Sequence, residues 1–174
     1  MDAFVEAGIA KRIEHQVAGN VTITLSPGGQ NVLVEKILKD FAPIFARGGR
    51  VLYVGDTDKK FAHFDKAGLG KLGVHLEEHG KMPDVIIHYT KKNWLLLIEA
   101  VTSHGPVNPK RHQELKKLFA NSKAGLVYVT AFLTRKDMLV HLGQISWETE
   151  VWVAESPTHM IHFNGERFLG PYPS

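Results

Sequence analysis

The chain has 174 residues, 44 % hydrophobic and 22 % charged, with Lys+Arg 21 against Asp+Glu 18 for a formal net charge of +3; this is one domain's worth of chain, able to bury a core without staples. No cysteine occurs, which excludes disulfide frameworks, thiolate zinc sites and cysteine nucleophiles. The mild basic bias suits a nucleic-acid partner, while the longest apolar run, Trp94 to Ile98, is too short to cross a bilayer and the N-terminus lacks the basic stretch of a signal peptide, so a cytoplasmic protein with no membrane association is expected.

Residues 3 to 17 read as a short amphipathic helix, with Phe4, Ile9, Ile13 and Val17 at helical spacing. Val21 to Leu25 is β-branched and reads as a strand. Ser26-Pro27 signals a helix start, and Val32, Leu33, Ile37, Leu38, Phe41 and Phe45 give that helix one apolar face before Gly48-Gly49 closes it. Arg50 to Val54 is a strand ending in Gly55-Asp56-Thr57. A short helix is expected within residues 58 to 73, and a brief strand over Val74 to Leu76. Asp84 to Tyr89 and Trp94 to Val101 form an antiparallel hairpin about the turn Thr90 to Asn93. After Gly105-Pro106 comes a helix from about Pro109 to Ala120, then the apolar strand Leu126 to Phe132. Thr134 caps another helix running to about Ile145, and Glu150 to Ala154 and His159 to Phe163 are the last strands. No repeat or long linker interrupts this order, which predicts a single mixed α/β domain over residues 1–174 in three layers.

Met82-Pro83-Asp84 is followed fifteen residues later by Glu99. The hairpin brings the start of one strand beside the end of the other, so both carboxylates reach one point. A turn Asp and a solvent-facing Glu would be the plain alternative, but Glu99 ends the run Trp94 to Ile98, and an acid ending a buried strand has few bland explanations. Two carboxylates among apolar strands repel each other and resist desolvation. A divalent cation removes both penalties, and an oxygen-only site with open positions suits Mg²⁺. Such an ion polarises a phosphoryl oxygen and generates hydroxide near neutral pH.

Pro83-Asp84 with Glu99-Ala100-Val101 resembles the PD-(D/E)XK nuclease signature. The longer strings from Val51 to Thr57, Glu99 to Val107, Ala124 to Phe132 and His162 to Gly165 together resemble the catalytic domain of the BsuBI/PstI family of type II restriction endonucleases, over about Leu25 to Tyr172. The resemblance implies a restriction-endonuclease-like fold, a central mixed sheet flanked by helices. It also implies a Mg²⁺-dependent endonuclease that cuts double-stranded DNA at the palindrome CTGCAG with a 3′ overhang, and a homodimer whose two-fold axis matches the palindrome. Asp84 and Glu99 then hold Mg²⁺ with help from the Ala100 carbonyl. The family signature expects a lysine two residues after the Glu, where this chain has Val101; Lys110 is the first choice to supply its role and Lys81 the second. Family members also carry an N-terminal segment resembling a winged-helix DNA-binding domain, which is expected to be absent here.

Glu35 is a further metal candidate, because the first helix of this fold often presents a carboxylate. Glu77, Glu78 and Asp56 read mainly as loop, cap or turn charges. No pair of histidines shows the i, i+4 spacing of zinc hydrolases on a predicted helix, since His75 and His79, four apart, fall in a stretch read as strand and loop; His104, after the Glu99 strand, is a candidate DNA contact. Ser103 has no partner pattern for nucleophilic chemistry, and Gly28-Gly29 lacks the lysine and hydroxyl of a phosphate loop. Lys110, Arg111, Lys116, Lys117 and Lys123 form the densest basic stretch, with Lys110 and Lys117 on one helix face; Lys110, Arg111 and Lys117 are its candidate DNA contacts. Two other functions fit the same residues less fully: a catalytically silent or regulatory DNA-binding relative, suggested by Val101 and the short chain, and a nuclease directed at RNA or at nucleic-acid structure.

Overall fold

A computed structural model of the chain describes residues 11–15, 21–76, 81–102 and 105–163. Seven strands form one mixed sheet in the order β4-β3-β5-β6-β7-β8-β9: β3 (Arg50–Gly55), β4 (Phe61–Phe64), β5 (Val85–Tyr89), β6 (Trp94–Val101), β7 (Gly125–Phe132), β8 (Thr149–Val153) and β9 (Ile161–Phe163). Strand β6 runs parallel to β7, and β7 parallel to β8; every other pairing in the sheet is antiparallel. A separate two-stranded ribbon pairs β1 (Lys11–His15) with β2 (Val21–Leu25).

Alternation along the central strands sorts side chains between two layers. Val85, Ile87, Leu96, Ile98 and Ala100 face a helical layer built from α1 (Gly29–Lys36), a π-helical stretch Ile37–Phe41 and α2 (Ala42–Phe45). Ile86, Leu95 and Leu97 face the opposite layer, which contains α3 (Lys66–Lys71) and α4 (Pro109–Leu118) and buries Leu69, Leu115 and Phe119. A smaller cluster joins Val101, Phe132 and Val153 to Met138 of α5 (Arg135–His141). The fold is therefore the expected mixed α/β sheet flanked by helices. Strands β5 and β6 are its centre, and their near-continuous burial explains why both read as apolar runs.

Several local expectations are revised. The helix expected over residues 3 to 17 is a strand at Lys11–His15, whose backbone pairs residue for residue with Val21–Leu25; the ladder offered by the β-branched strand outweighs a sparse helical period. The remainder of that expected helix lies outside the described residues. Val74 to Leu76 joins no ladder among the described residues, because the Val74 N–H is taken by the Leu69 carbonyl at the end of α3. The region expected to hold only a helix before Gly73 also contains β4, which pairs with β3. Helix α1 begins three residues after Ser26, behind Gly28 at φ 144° and without a side-chain cap.

Ser26 is instead committed to Asp56. The Asp56 carboxylate accepts from the Ser26 N–H (2.8 Å) and hydroxyl (2.6 Å), from the Asn31 amide (3.1 Å), and from the backbone N–H groups of Asp58 and Lys59. One side chain thereby ties the end of β2, the first turn of α1 and the β3–β4 turn. Burial alone would raise its pKa, but these donors outweigh burial and hold it below the usual carboxylate value.

Asp56→Ala is expected to lower unfolding free energy by about 2 kcal/mol near neutral pH, since buried donors lose a charged acceptor while partial solvent access limits the loss. A depressed folded pKa contributes stability above the unfolded value that disappears as pH falls through the folded one. Urea unfolding should therefore show the difference between wild type and variant shrinking as the solution is acidified below the ordinary carboxylate range.

Candidate active site

Strands β5 and β6 pair with Val85 opposite Ile98, so the next pair outward sets Asp84 against Glu99. Directly opposed residues of an antiparallel pair project to one face, here the face covered by α4. The two carboxyl groups lie within hydrogen-bond reach of each other. Asp84 Oδ2 accepts from the Ala100 N–H at 2.7 Å, and Oδ1 accepts from the Gln30 side-chain amide at 3.1 Å. Gln30, in the first turn of α1, also accepts from the Thr102 hydroxyl at 2.9 Å, which links the helix to both strands at the mouth of the site.

Glu99 is held from the other side. Arg111, the third residue of α4, donates from Nε to Glu99 Oε1 at 2.7 Å, and its Nη2 lies 2.6 Å from the same oxygen. Nη2 also donates to the Lys81 carbonyl at 3.0 Å, and Nη1 lies 3.5 Å from Glu114. The Arg111 side chain is only 10 % exposed. Asn108 caps α4 by accepting from the Arg111 N–H at 2.8 Å, so the helix start and its buried guanidinium are fixed together. Lys81 and Lys110 line the same cleft of about 420 Å³ with Asp84, Glu99, Ala100 and Arg111. A second hollow, of about 430 Å³, opens on the other flank of Asp84, between Gln30, Tyr53 and Pro83.

Burial pushes the Asp84 carboxyl above its ordinary pKa, against the hydrogen bonds from Ala100 and Gln30 and the charge of Arg111. Burial and the neighbouring Asp84 charge push Glu99 up to about 7, with Arg111 and Lys81 opposing. Two desolvated carboxylates that resist joint ionisation, with open acceptor sites and a cleft in front of them, are a donor set suited to a divalent cation. Asp84 and Glu99 would hold it, with Ala100 on the same wall. No group of three His, Asp or Glu side chains clusters for a metal among the described residues, so water and a ligand phosphate would complete the shell.

The remaining candidates scatter. Glu35 pairs with Lys39 at 2.8 Å, one turn on, and α1 turns Gln30 rather than Glu35 toward Asp84. Asp56 is a structural anchor. Arg111, expected on the exposed helix face as a DNA contact, points inward to Glu99. Lys117 is exposed on α4, away from the cleft. Ser103, His104, Glu77 and Glu78 lie outside the described residues. Gln30 escaped sequence reasoning because an amide in a first helical turn carries no pattern; its only signal was its place just after Ser26-Pro27.

In the metal-free chain, a Glu99 carboxyl raised to about 7 binds a proton more tightly folded than unfolded. Its contribution to stability is therefore present at low pH and lost as pH rises through about 7. Urea unfolding of wild type and Glu99→Gln at about pH 5 and about pH 8 should show wild type losing ground to the variant at the higher pH, and a chelator-free sample with added Mg²⁺ should recover that loss.

Comparison with known proteins places this geometry in a family. The family model described as BsuBI/PstI restriction endonuclease domain matches residues 13–166. The chain is 56 % identical over 161 residues to the type II restriction enzyme BsuBI of Bacillus subtilis, covering 92 % of this chain and 51 % of that protein. It is 33 % identical over 167 residues to the type II restriction enzyme AplI of Arthrospira platensis, with the same coverage of 92 % and 51 %. The solved structure of SdaI restriction endonuclease superposes with a TM-score of 0.85 at 46 % identity, over 94 % of this chain and 51 % of that one. The chain spans about half the length of the curated relatives it matches. With the paired carboxylates at the end of a central hairpin and a family match over most of its length, the chain belongs to the BsuBI/PstI restriction endonuclease domain family.

Proposed function

We propose that this chain is a Mg²⁺-dependent endonuclease domain that hydrolyses phosphodiester bonds in double-stranded DNA, at CTGCAG, as a cytoplasmic homodimer. The observation that carries the reading is the convergence of Asp84 and Glu99 on one cleft, in a chain of this family. A silent DNA-binding relative has no use for two buried acids aimed at one point, so the geometry favours cleavage over binding alone. Membership of the restriction endonuclease family favours duplex DNA over RNA, and the palindrome and two-fold dimer follow from the resemblance of the long sequence strings.

The bound ion would polarise the scissile phosphate and lower the pKa of a water near it. The chain's own part is to hold the geometry. Asp84 is fixed by the Ala100 N–H and the Gln30 amide, and Glu99 by Arg111. Each acid thus presents one preset orientation and loses little freedom when substrate arrives. Val101 is buried among Phe132 and Met138 and offers no charge, so the lysine role falls to the cleft wall. Lys81 and Lys110 both line it. The Lys81 charge joins Arg111 in opposing the rise of the Glu99 pKa, and Lys81 directly precedes Met82-Pro83-Asp84, which moves the preference from Lys110 to Lys81 for orienting the attacking water. Lys110, exposed at the start of α4, would grip a phosphate.

Incubation with plasmid DNA and Mg²⁺, followed by end mapping, tests the whole reading. Linear products with 3′ overhangs inside CTGCAG, lost on chelation, are expected; ends at unrelated sequences would refute the specificity, and intact plasmid the activity. Glu99→Ala should abolish cleavage while DNA binding survives or tightens, because repulsion of phosphate is relieved. Lys81→Ala should slow the single-turnover step at saturating DNA by about a hundredfold, the scale of one positioned proton-transfer or charge-stabilising group. Lys110→Ala should instead weaken binding and flatten its salt dependence by about one counterion. The reverse pattern would assign the lysine role to Lys110.

A further inference from the structure

Asp84 has open space on both flanks. The cleft shared with Glu99 lies on one side, and the second hollow, with Tyr53 and Lys60 on its wall, lies on the other. Packing on those sides cannot set the rotation of its carboxyl group, so hydrogen bonds must. Three partners reach it: the Ala100 N–H at Oδ2 (2.7 Å), the Gln30 amide at Oδ1 (3.1 Å) and the Glu99 carboxyl. The Glu99 contact is the one that a cation shared by the two acids would displace. One donor to each oxygen then remains, and two such points define the plane of a carboxylate.

The two donors are not equally secure. Ala100 belongs to β6, whose backbone is fixed by its ladder with β7. Gln30, in the first turn of α1, is half-buried, and a glutamine side chain has enough rotamer freedom to leave for solvent. Its far end is tied by Thr102, whose hydroxyl donates to Gln30 Oε1 at 2.9 Å. An ionised Asp84 only accepts and takes the NH₂ end of the amide, while a hydroxyl can turn to donate and takes the carbonyl end. The amide is thus strung between the residue that follows β6 and the residue that precedes β5. Thr102 itself is exposed, and its hydroxyl has no other hydrogen-bond partner among the described residues.

On the metal-dependent reading above, we infer that Thr102 is a positioning residue of the active site: through the Gln30 amide it holds the Asp84 carboxylate in the orientation that receives the divalent ion. Removing a hydrogen-bond partner of a metal ligand commonly weakens metal affinity by about 10- to 100-fold.

The test reads metal affinity rather than cleavage. Mn²⁺, which accepts the same oxygen ligands as Mg²⁺, is titrated into the whole chain without DNA, and the free ion is followed by electron paramagnetic resonance, with Asp84→Asn as the blank for ions bound elsewhere. Thr102→Val keeps the β-branched shape and removes the hydroxyl, and should weaken Mn²⁺ binding by about tenfold. Thr102→Ser, which keeps the hydroxyl, should bind close to the wild-type value. Gln30→Met should weaken binding at least as much as Thr102→Val, and the two substitutions together no more than Gln30→Met alone, because the hydroxyl acts through the amide. Unchanged Mn²⁺ affinity in Thr102→Val overturns the inference, whether stability or DNA binding falls or not. A full further loss from Thr102→Val in the Gln30→Met background also overturns it. Should Gln30→Met fail to fold, the Val and Ser variants at position 102 still decide. No ion above the blank in wild type would instead sink the metal-dependent reading itself.

Discussion

Two acids held face to face at the dry end of an apolar hairpin are the constraint around which this domain is arranged. Left alone, each would raise the other's cost of ionisation, and the strands would part or a proton would be kept. The chain answers with a guanidinium from the next helix, a backbone N–H and a side-chain amide, all aimed at the same pair of carboxylates. The third residue of α4, the first turn of α1 and the rim of β6 are positioned by this one need. The helical layers meet the sheet on opposite faces, yet both send a residue to the same edge.

This arrangement also separates anchoring from chemistry. Asp56 and Asp84 both line one hollow, and each accepts hydrogen bonds from more than one segment. Asp56 has its oxygens crowded by five donors from three segments and is held ionised by them. Asp84 is buried deeply enough that the loss of solvent outweighs its hydrogen bonds and the nearby Arg111 charge, and it is pushed toward its neutral form. The same residue type is thus held ionised in one place and pushed toward its neutral form in the other, and the balance between burial and donors decides which.

The sheet and its flanking helices were legible in the sequence where burial is complete. The strands β3, β5, β6, β7 and β8 are runs that could satisfy their hydrophobic content in no other way, and the hairpin register followed from a four-residue turn. The meeting of Asp84 and Glu99 followed from that register. Less legible was whatever depends on a distant partner. Lys11–His15 has no strand pattern of its own and is drawn into a ladder by β2. Ser26 carries the mark of a helix cap, but Asp56, thirty residues away, binds it more strongly than a helix end would. Arg111 looked like one more surface charge in a basic stretch. Only the docking of α4 against the end of β6 shows that its helix face turns inward, and no local spacing encodes that.

The chain order of these parts bears on how the site assembles. Asp84 and Glu99 sit on one hairpin closed by Thr90 to Asn93, the shortest loop the central sheet has to close, whereas Arg111 belongs to the crossover between β6 and its parallel neighbour β7. A short closure costs less chain entropy than a crossover. The two acids are thus joined by the shorter closure, and their counter-ion is supplied by a segment outside the hairpin. Docking of α4 is thereby favoured by electrostatics as well as by the burial of Leu115 and Phe119, and the edge that carries the two acids doubles as the latch that completes the sheet.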